Sequence, residues 1–192
     1  MTMLILGLIL FLGVHATRIF ADGWRTSMIA RLGPLPWKGL YTVASIVGFA
    51  VMVWGFGQAR QGSLVLWTSP AWMRHVTALL MVGAFILFVA AYVPRNGFKA
   101  RLHHPMVLSV KVWALAHLLA AGRLADVVLF GAFLAWAVLS FRAARQRDRA
   151  AGTVYPPGTV AGGVITVVVG VVAALVFAMV LHAPLIGVRP LG

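Results

Sequence analysis

Histidine is the main candidate for haem or metal binding in this chain, because its 192 residues include six histidines and no cysteine. His15 and His117 lie inside long apolar runs, where ionisable side chains are costly and usually functional. Arg18 follows His15 by three residues and therefore lies on the same face of a helix. An imidazole on the iron and a guanidinium on a propionate are typical contacts of a bound haem. Ordinary helix packing, with each histidine hydrogen-bonded to a carbonyl, is the alternative that the residues alone leave open.

A second group of candidates lies at the start of the apolar run that contains His117. His104 precedes Pro105, and proline favours the first position of a helix, so His104 could simply cap that helix. His104 and Lys111 are seven residues apart on one helical face, where they could meet an anionic group such as a cofactor carboxylate. Lys111 could instead extend its long side chain to the membrane surface. His104 and His117 are about 20 Å apart along a helix, so these two cannot bind one metal ion.

The composition indicates a multi-pass membrane protein. Apolar residues make up 62% of the chain, glutamate is absent, and the only acidic side chains are Asp22, Asp126 and Asp148, a mixture that soluble domains of this size do not use. The net charge of +13 does not indicate nucleic-acid binding, because the basic residues lie between apolar runs, where they orient the chain and contact anionic lipids. The sequence has no phosphate loop, paired carboxylates or cysteine zinc motif, which argues against kinases, hydrolases and zinc enzymes.

Six apolar runs approach the roughly 20 residues that span a bilayer as a helix. We therefore predict an all-α fold, a polytopic membrane helical bundle of about six transmembrane helices in one integral membrane domain over residues 1–192. The first run lacks the basic flank and cleavage site of a signal peptide and is predicted to be a span. Eleven basic residues in alternate connectors, against four in the others, predict that both termini lie outside. The predicted spans cover residues 2–20, 37–57, 71–93, 106–121, 124–141 and 158–185.

Three segments carry a resemblance to a known family. They are GVHATR at residues 13–18, LGPLPWKGLY at residues 32–41, and HHPM with VWALAHLLAAG between residues 103 and 122. These segments resemble the NnrU family of bacterial membrane proteins, which is associated with denitrification and nitric oxide metabolism. That family is related to the plastid 15-cis-zeta-carotene isomerase, a haem b enzyme. The resemblance implies an integral protein of the bacterial cell inner membrane.

The resemblance also implies a ligand set. His15 and His117 correspond to the axial ligands of the isomerase's haem iron, and His104 corresponds to the histidine of its Arg-His-Pro motif. This chain departs from the isomerase where His103 replaces the arginine and where Ala114 replaces a cysteine of the haem site. Propionate contacts are expected from basic residues near these histidines, namely Arg18, Lys111 or Arg95.

From this resemblance we expect a haem b-binding membrane protein of nitric oxide metabolism that could also be a redox-switched isomerase of an apolar polyene. A non-enzymatic accessory or assembly protein for a membrane nitric oxide reductase is the alternative. The expected partners are the lipid bilayer, an apolar substrate or nitric oxide, and denitrification enzymes, but not nucleic acid.

A membrane methyltransferase is a third reading. The turn at His104 and Pro105 resembles the Arg-His-Pro motif of the isoprenylcysteine and phospholipid methyltransferases. Those families continue with glycine four residues after the proline, where this chain has Ser109. They also use acidic residues downstream, and this chain offers only Asp126 and Asp148 there.

Overall fold

The computed structural model describes residues 1–190, and its regular elements within that range are helical. Five segments are long and apolar enough to cross a membrane, which supports a multi-pass membrane protein: Thr2–Phe20, Pro34–Gln61, Met73–Ala90, Leu124–Ala151 and Val160–Ile186. A sixth apolar helix, Pro105–Ala120, has only 16 residues. The all-α fold is therefore confirmed, while the count of about six spans and the outside location of the termini stay predictions.

The helices follow one another along the chain with short connectors. They are α1 (Thr2–Phe20), α2 (Asp22–Leu32), α3 (Pro34–Gln61), α4 (Met73–Ala90), α5 (Gly97–Leu102), α6 (Pro105–Ala120), α7 (Leu124–Ala151), α8 (Val160–Val176), a π-helical turn (Phe177–Leu181) and α9 (His182–Ile186).

Three segments that read as connectors in the sequence are helical, one of them the short α5. The residues after the first span form α2, with Asp22 in its first turn, where the helix dipole stabilises a carboxylate. α7 continues past residue 141 to Ala151, because arginine, alanine and glutamine favour helix. It stops at Gly152, whose φ of 60° suits a residue without a side chain.

The chain divides into two compact units. Unit 1 comprises residues 1–67 and 122–140, and unit 2 comprises residues 68–121 and 141–190. The division falls within α7, whose apolar first part belongs to unit 1 and whose basic second part belongs to unit 2.

Unit 1 is built on the packing of α1 along α3. Glycine allows this close approach, because a Cβ at Gly7 would overlap the backbone of Met52 and a Cβ at Gly55 would overlap the backbone of Leu4. Leu4 is completely buried as a result. Membrane helices lack a hydrophobic driving force between them, so small residues that let backbones approach supply van der Waals contact instead.

Unit 2 is built on α4, which packs against α6 and α8. The hydroxyl of Thr77 on α4 donates a hydrogen bond to the carbonyl of Ala116 on α6, at 3.3 Å. On the other side, a Cβ at Gly170 of α8 would lie only 2.6 Å from the Cα of Ile86. α4 is therefore packed on both sides, and α6, which carries several of the candidate site residues, is held to it by packing and by the hydrogen bond from Thr77.

Asn96 organises the junction between α4 and α5. Its side-chain NH₂ donates to the carbonyls of Ala90, at 2.9 Å, and Val93, at 2.6 Å, and its Oδ1 accepts from the N–H of Lys99, at 2.8 Å. The residue is only 1% exposed. Asn96 therefore ends one helix and caps the next with a single side chain.

We expect Asn96→Ala to lower the free energy of unfolding by about 2–3 kcal/mol, since it removes an N-cap and leaves buried carbonyls unpaired. Unfolding by sodium dodecyl sulfate, followed by circular dichroism, measures the change. Asn96→Ser, which keeps a capping oxygen, should lose less. Equal stability of the alanine variant and the wild type would contradict this role.

Candidate functional site

His15 lies on α1 in unit 1, partly buried among aromatic rings. Its ring centroid is 4.3 Å from that of Phe11, 5.3 Å from that of Tyr41 and 6.1 Å from that of Trp136. Its Nδ1 lies 2.6 Å from the carbonyl oxygen of Phe11, one turn earlier on the same helix. Because a carbonyl can only accept, Nδ1 carries the hydrogen and the neutral ring has its lone pair on Nε2.

Trp136 on α7 adds an unsatisfied polar group beside His15. Its indole Nε1 is buried and has no hydrogen-bond partner in the part of the chain that the structure describes. The indole packs edge-on to the imidazole, with an interplanar angle of 85°. A buried N–H without an acceptor is uncommon in folded proteins, so a bound group that accepts from it would complete this site.

His117 lies on α6 in unit 2 and repeats the local arrangement of His15. Its Nδ1 lies 2.8 Å from the carbonyl oxygen of Trp113, again one turn earlier on its own helix. The Trp113 ring also packs against it, with centroids 5.4 Å apart. The same reasoning assigns the hydrogen to Nδ1 and the lone pair to Nε2. The coordination of one iron by both His15 and His117 stays a prediction of the sequence.

His104 and Lys111 share one face of α6, as their spacing predicts, and both approach Phe141. The His104 ring centroid is 6.2 Å from that of Phe141, and the Lys111 Nζ lies 6.0 Å from the same ring centroid. His104 does not use its side chain to cap α6. Its Nε2 is instead 2.8 Å from Oδ2 of Asp148, a carboxylate of the protein itself.

Asp148 and Tyr155 are polar partners that the sequence interpretation missed. The Tyr155 hydroxyl donates to Oδ2 of Asp148 at 2.9 Å, and the His103 Nδ1 lies 3.9 Å from the same oxygen. Partial burial and the hydrogen bond to Asp148 raise the pKa of Tyr155 above its usual range. One feature of the sequence could have pointed to Asp148: it is the only acidic side chain in the sequence of unit 2.

The remaining candidates differ in their surroundings. Arg18, in the last turn of α1, is exposed, and Arg95 has a left-handed backbone with φ of 49°. Within residues 1–190, no group of three or more His, Cys, Asp or Glu side chains is placed to hold a bare metal ion.

Comparison with known proteins identifies the family. The family model described as "NnrU protein" matches residues 3–190 of the 192. No curated protein and no solved structure matches the chain. The family match spans both units and includes every histidine discussed above. This chain is therefore a member of the NnrU family.

Proposed function

We propose that this NnrU family membrane protein binds haem b in the bacterial inner membrane, and that His15 and His117 are the side chains that would ligate the iron. The observation that carries the proposal is the hydrogen bond from each Nδ1–H to a carbonyl of its own helix, at 2.6 Å for His15 and 2.8 Å for His117. Ligating histidines usually donate their second ring N–H in this way, which fixes the tautomer and makes the ligating nitrogen more basic.

The surroundings of His15 fit a flat, largely apolar group. Phe11, Tyr41 and Trp136 offer aromatic faces and edges at ring distances between 4.3 and 6.1 Å. The buried indole N–H of Trp136 is a donor available to an acceptor on such a group. Imidazole is also a ligand that suits iron, and the sequence contains no cysteine that would compete as a ligand.

Each residue has a defined role in this proposal. His15 and His117 hold the iron through Nε2, Phe11 and Tyr41 exclude water on the α1 side, and Arg18 and Lys111 are the cations for the propionates. Haem b bound here would supply an iron that changes redox state, and nitric oxide or an apolar polyene would reach that iron only after one of the two histidines had left it. We propose nitric oxide, as an intermediate of denitrification, and an apolar polyene as the two candidate substrates.

An absorbance spectrum of the purified protein tests the proposal. The protein is produced in cells supplied with iron and a haem precursor, extracted in mild detergent and scanned in its oxidised and dithionite-reduced forms. We expect a Soret band that shifts on reduction and a pyridine haemochrome of the b type. A preparation that is folded by circular dichroism but has no Soret band, even after titration with haem, would refute haem binding.

A further inference from the structure

The connector between α5 and α6 has a strained backbone at His103. His103 has a φ of 69° and a ψ of −84°, and the N–H of His104 donates to the carbonyl of Leu102 at 3.1 Å. These features define a γ-turn of the rare positive-φ type, centred on a residue that has a side chain. Such conformations persist only where the surroundings enforce them, and they cluster at switch regions and functional sites.

Asp148 provides those surroundings from the second part of α7. Its Oδ2 accepts hydrogen bonds from the His104 ring, at 2.8 Å, and from the Tyr155 hydroxyl, at 2.9 Å. Since the carboxylate accepts, His104 carries its hydrogen on Nε2. One carboxylate thereby connects the connector, α7 and the segment after α7 within unit 2.

The His103 ring is held in this cluster without a hydrogen bond of its own. Its Nδ1 is buried, has no hydrogen-bond partner among residues 1–190, and lies 3.9 Å from Oδ2 of Asp148. The ring packs edge-on against Tyr155, with centroids 4.3 Å apart. Packing rather than hydrogen bonding therefore keeps the neutral imidazole in place.

The charges around His103 disfavour its protonated form. Partial burial, the Arg145 guanidinium and His104 lower the pKa of His103 below the usual range of histidine, and the opposing attraction of Asp148 does not compensate. The last turn of α5 also contains Lys99 and Arg101, and the Lys99 Nζ donates to the carbonyl of Ala91 at 3.3 Å rather than to this cluster. α8, which also packs against α5, has no ionisable side chain.

We propose that His103 is a proton-binding site, and that uptake of one proton opens the γ-turn and releases the α5–α6 connector from Asp148 and Tyr155. A charged imidazole would have Asp148 3.9 Å away as its only anionic neighbour in this cluster, too far for a hydrogen bond, and would stand beside the Arg145 guanidinium. Opening the turn relieves the backbone strain and gives the ring full access to water. The inference does not depend on the proposed iron ligands, since neither His15 nor His117 belongs to this cluster.

The sign of the pH dependence follows from the lowered pKa of His103. The unfolded or released segment takes up the proton more readily than the closed turn does. Closure is therefore complete above about pH 6.5 and weakens as the pH falls through the lowered pKa of the closed state.

Paired spin labels in the full-length protein test this inference. The chain has no native cysteine, so Leu102→Cys and Val154→Cys introduce the only labelling sites, at residues that are 41% and 88% exposed. Continuous-wave electron paramagnetic resonance of the frozen protein in detergent reports dipolar broadening when the two labels are close. We expect broadening at about pH 7.5 and its loss at about pH 5, with a midpoint below the ordinary histidine value.

Single variants in the labelled protein identify the titrating group. His103→Asn removes the titration and keeps a residue type that tolerates positive φ, so broadening should persist at both pH values. His103→Gly, which relieves the strain outright, is the second non-titrating variant and should likewise show no pH dependence. His75→Asn changes an exposed histidine at the start of α4 and should leave the transition intact.

Two results would overturn the inference. One is a doubly labelled parent protein whose broadening is the same at both pH values. The other is a transition that persists in His103→Asn and His103→Gly; its disappearance in His104→Asn would then assign the proton to His104.

Discussion

Alanine at His15 or His117 is expected to remove most of the haem from the purified protein. Loss of a hydrogen-bonding partner of a ligating histidine costs roughly 10–100-fold in metal affinity, and loss of the ligand itself should cost at least as much. The ratio of Soret to protein absorbance measures the change after identical production and extraction. Any haem that remains should change from a six-coordinate to a five-coordinate spectrum, because one axial bond is missing.

Two other histidines provide matched controls for this prediction. His75 is exposed at the start of α4, and the Nδ1 of His182 is hydrogen-bonded to the carbonyl of Val188 at 2.7 Å. His75→Ala and His182→Ala should keep the haem content of the wild type. Added imidazole should restore a six-coordinate spectrum to His15→Gly. Unchanged spectra for both His15→Ala and His117→Ala would rule out these residues as the ligand pair, even if the protein binds haem.

Gly55→Ala is expected to separate α1 from α3 and to destabilise the protein strongly. The new Cβ would overlap the backbone of Leu4, which no change of rotamer can move aside. Overpacking of a close-packed interior lowers the free energy of unfolding by about 1–3 kcal/mol and occasionally more. We expect a loss near the upper end for this variant, because the atoms that the Cβ overlaps belong to the backbone. Unfolding in sodium dodecyl sulfate, followed by circular dichroism, measures the loss.

Gly57→Ala is the control on the same helix. A Cβ at Gly57 meets no atom within 4 Å among the described residues, so this variant should match the wild type in stability. Equal stability of Gly55→Ala and Gly57→Ala would show that α1 and α3 are not packed as closely as described here.

Much of the fold could be predicted because each membrane helix is recognisable from its own residues. The first apolar run was expected over residues 2–20, and α1 has those same limits. The fifth was expected to end at residue 141, but α7 reaches Ala151. Apolar content identifies the part of a helix that suits the bilayer, whereas helix propensity and the next glycine decide where the helix ends.

The candidate site was predictable only where one helix contains the relevant spacing. His104 and Lys111 both reach Phe141, as a spacing of seven residues implies. The bond between His104 and Asp148 joins residues that are 44 positions apart, and no periodicity along the chain points to such a pair. The same holds for Trp136, which lies beside His15 although the two belong to different helices.

The sequence by itself determined the class of this protein and its family. Long apolar runs with three carboxylates and no glutamate exclude a soluble domain, because burial of that much apolar surface requires a membrane. Only the tertiary structure decided which residues meet. It brings the glycines of α3 against α1 and places aromatic rings around His15. It also gathers His103, His104 and Tyr155 around Asp148. The physical reason is that hydropathy and helical period act along one segment, whereas contacts between helices depend on the shape and polar groups of both partners.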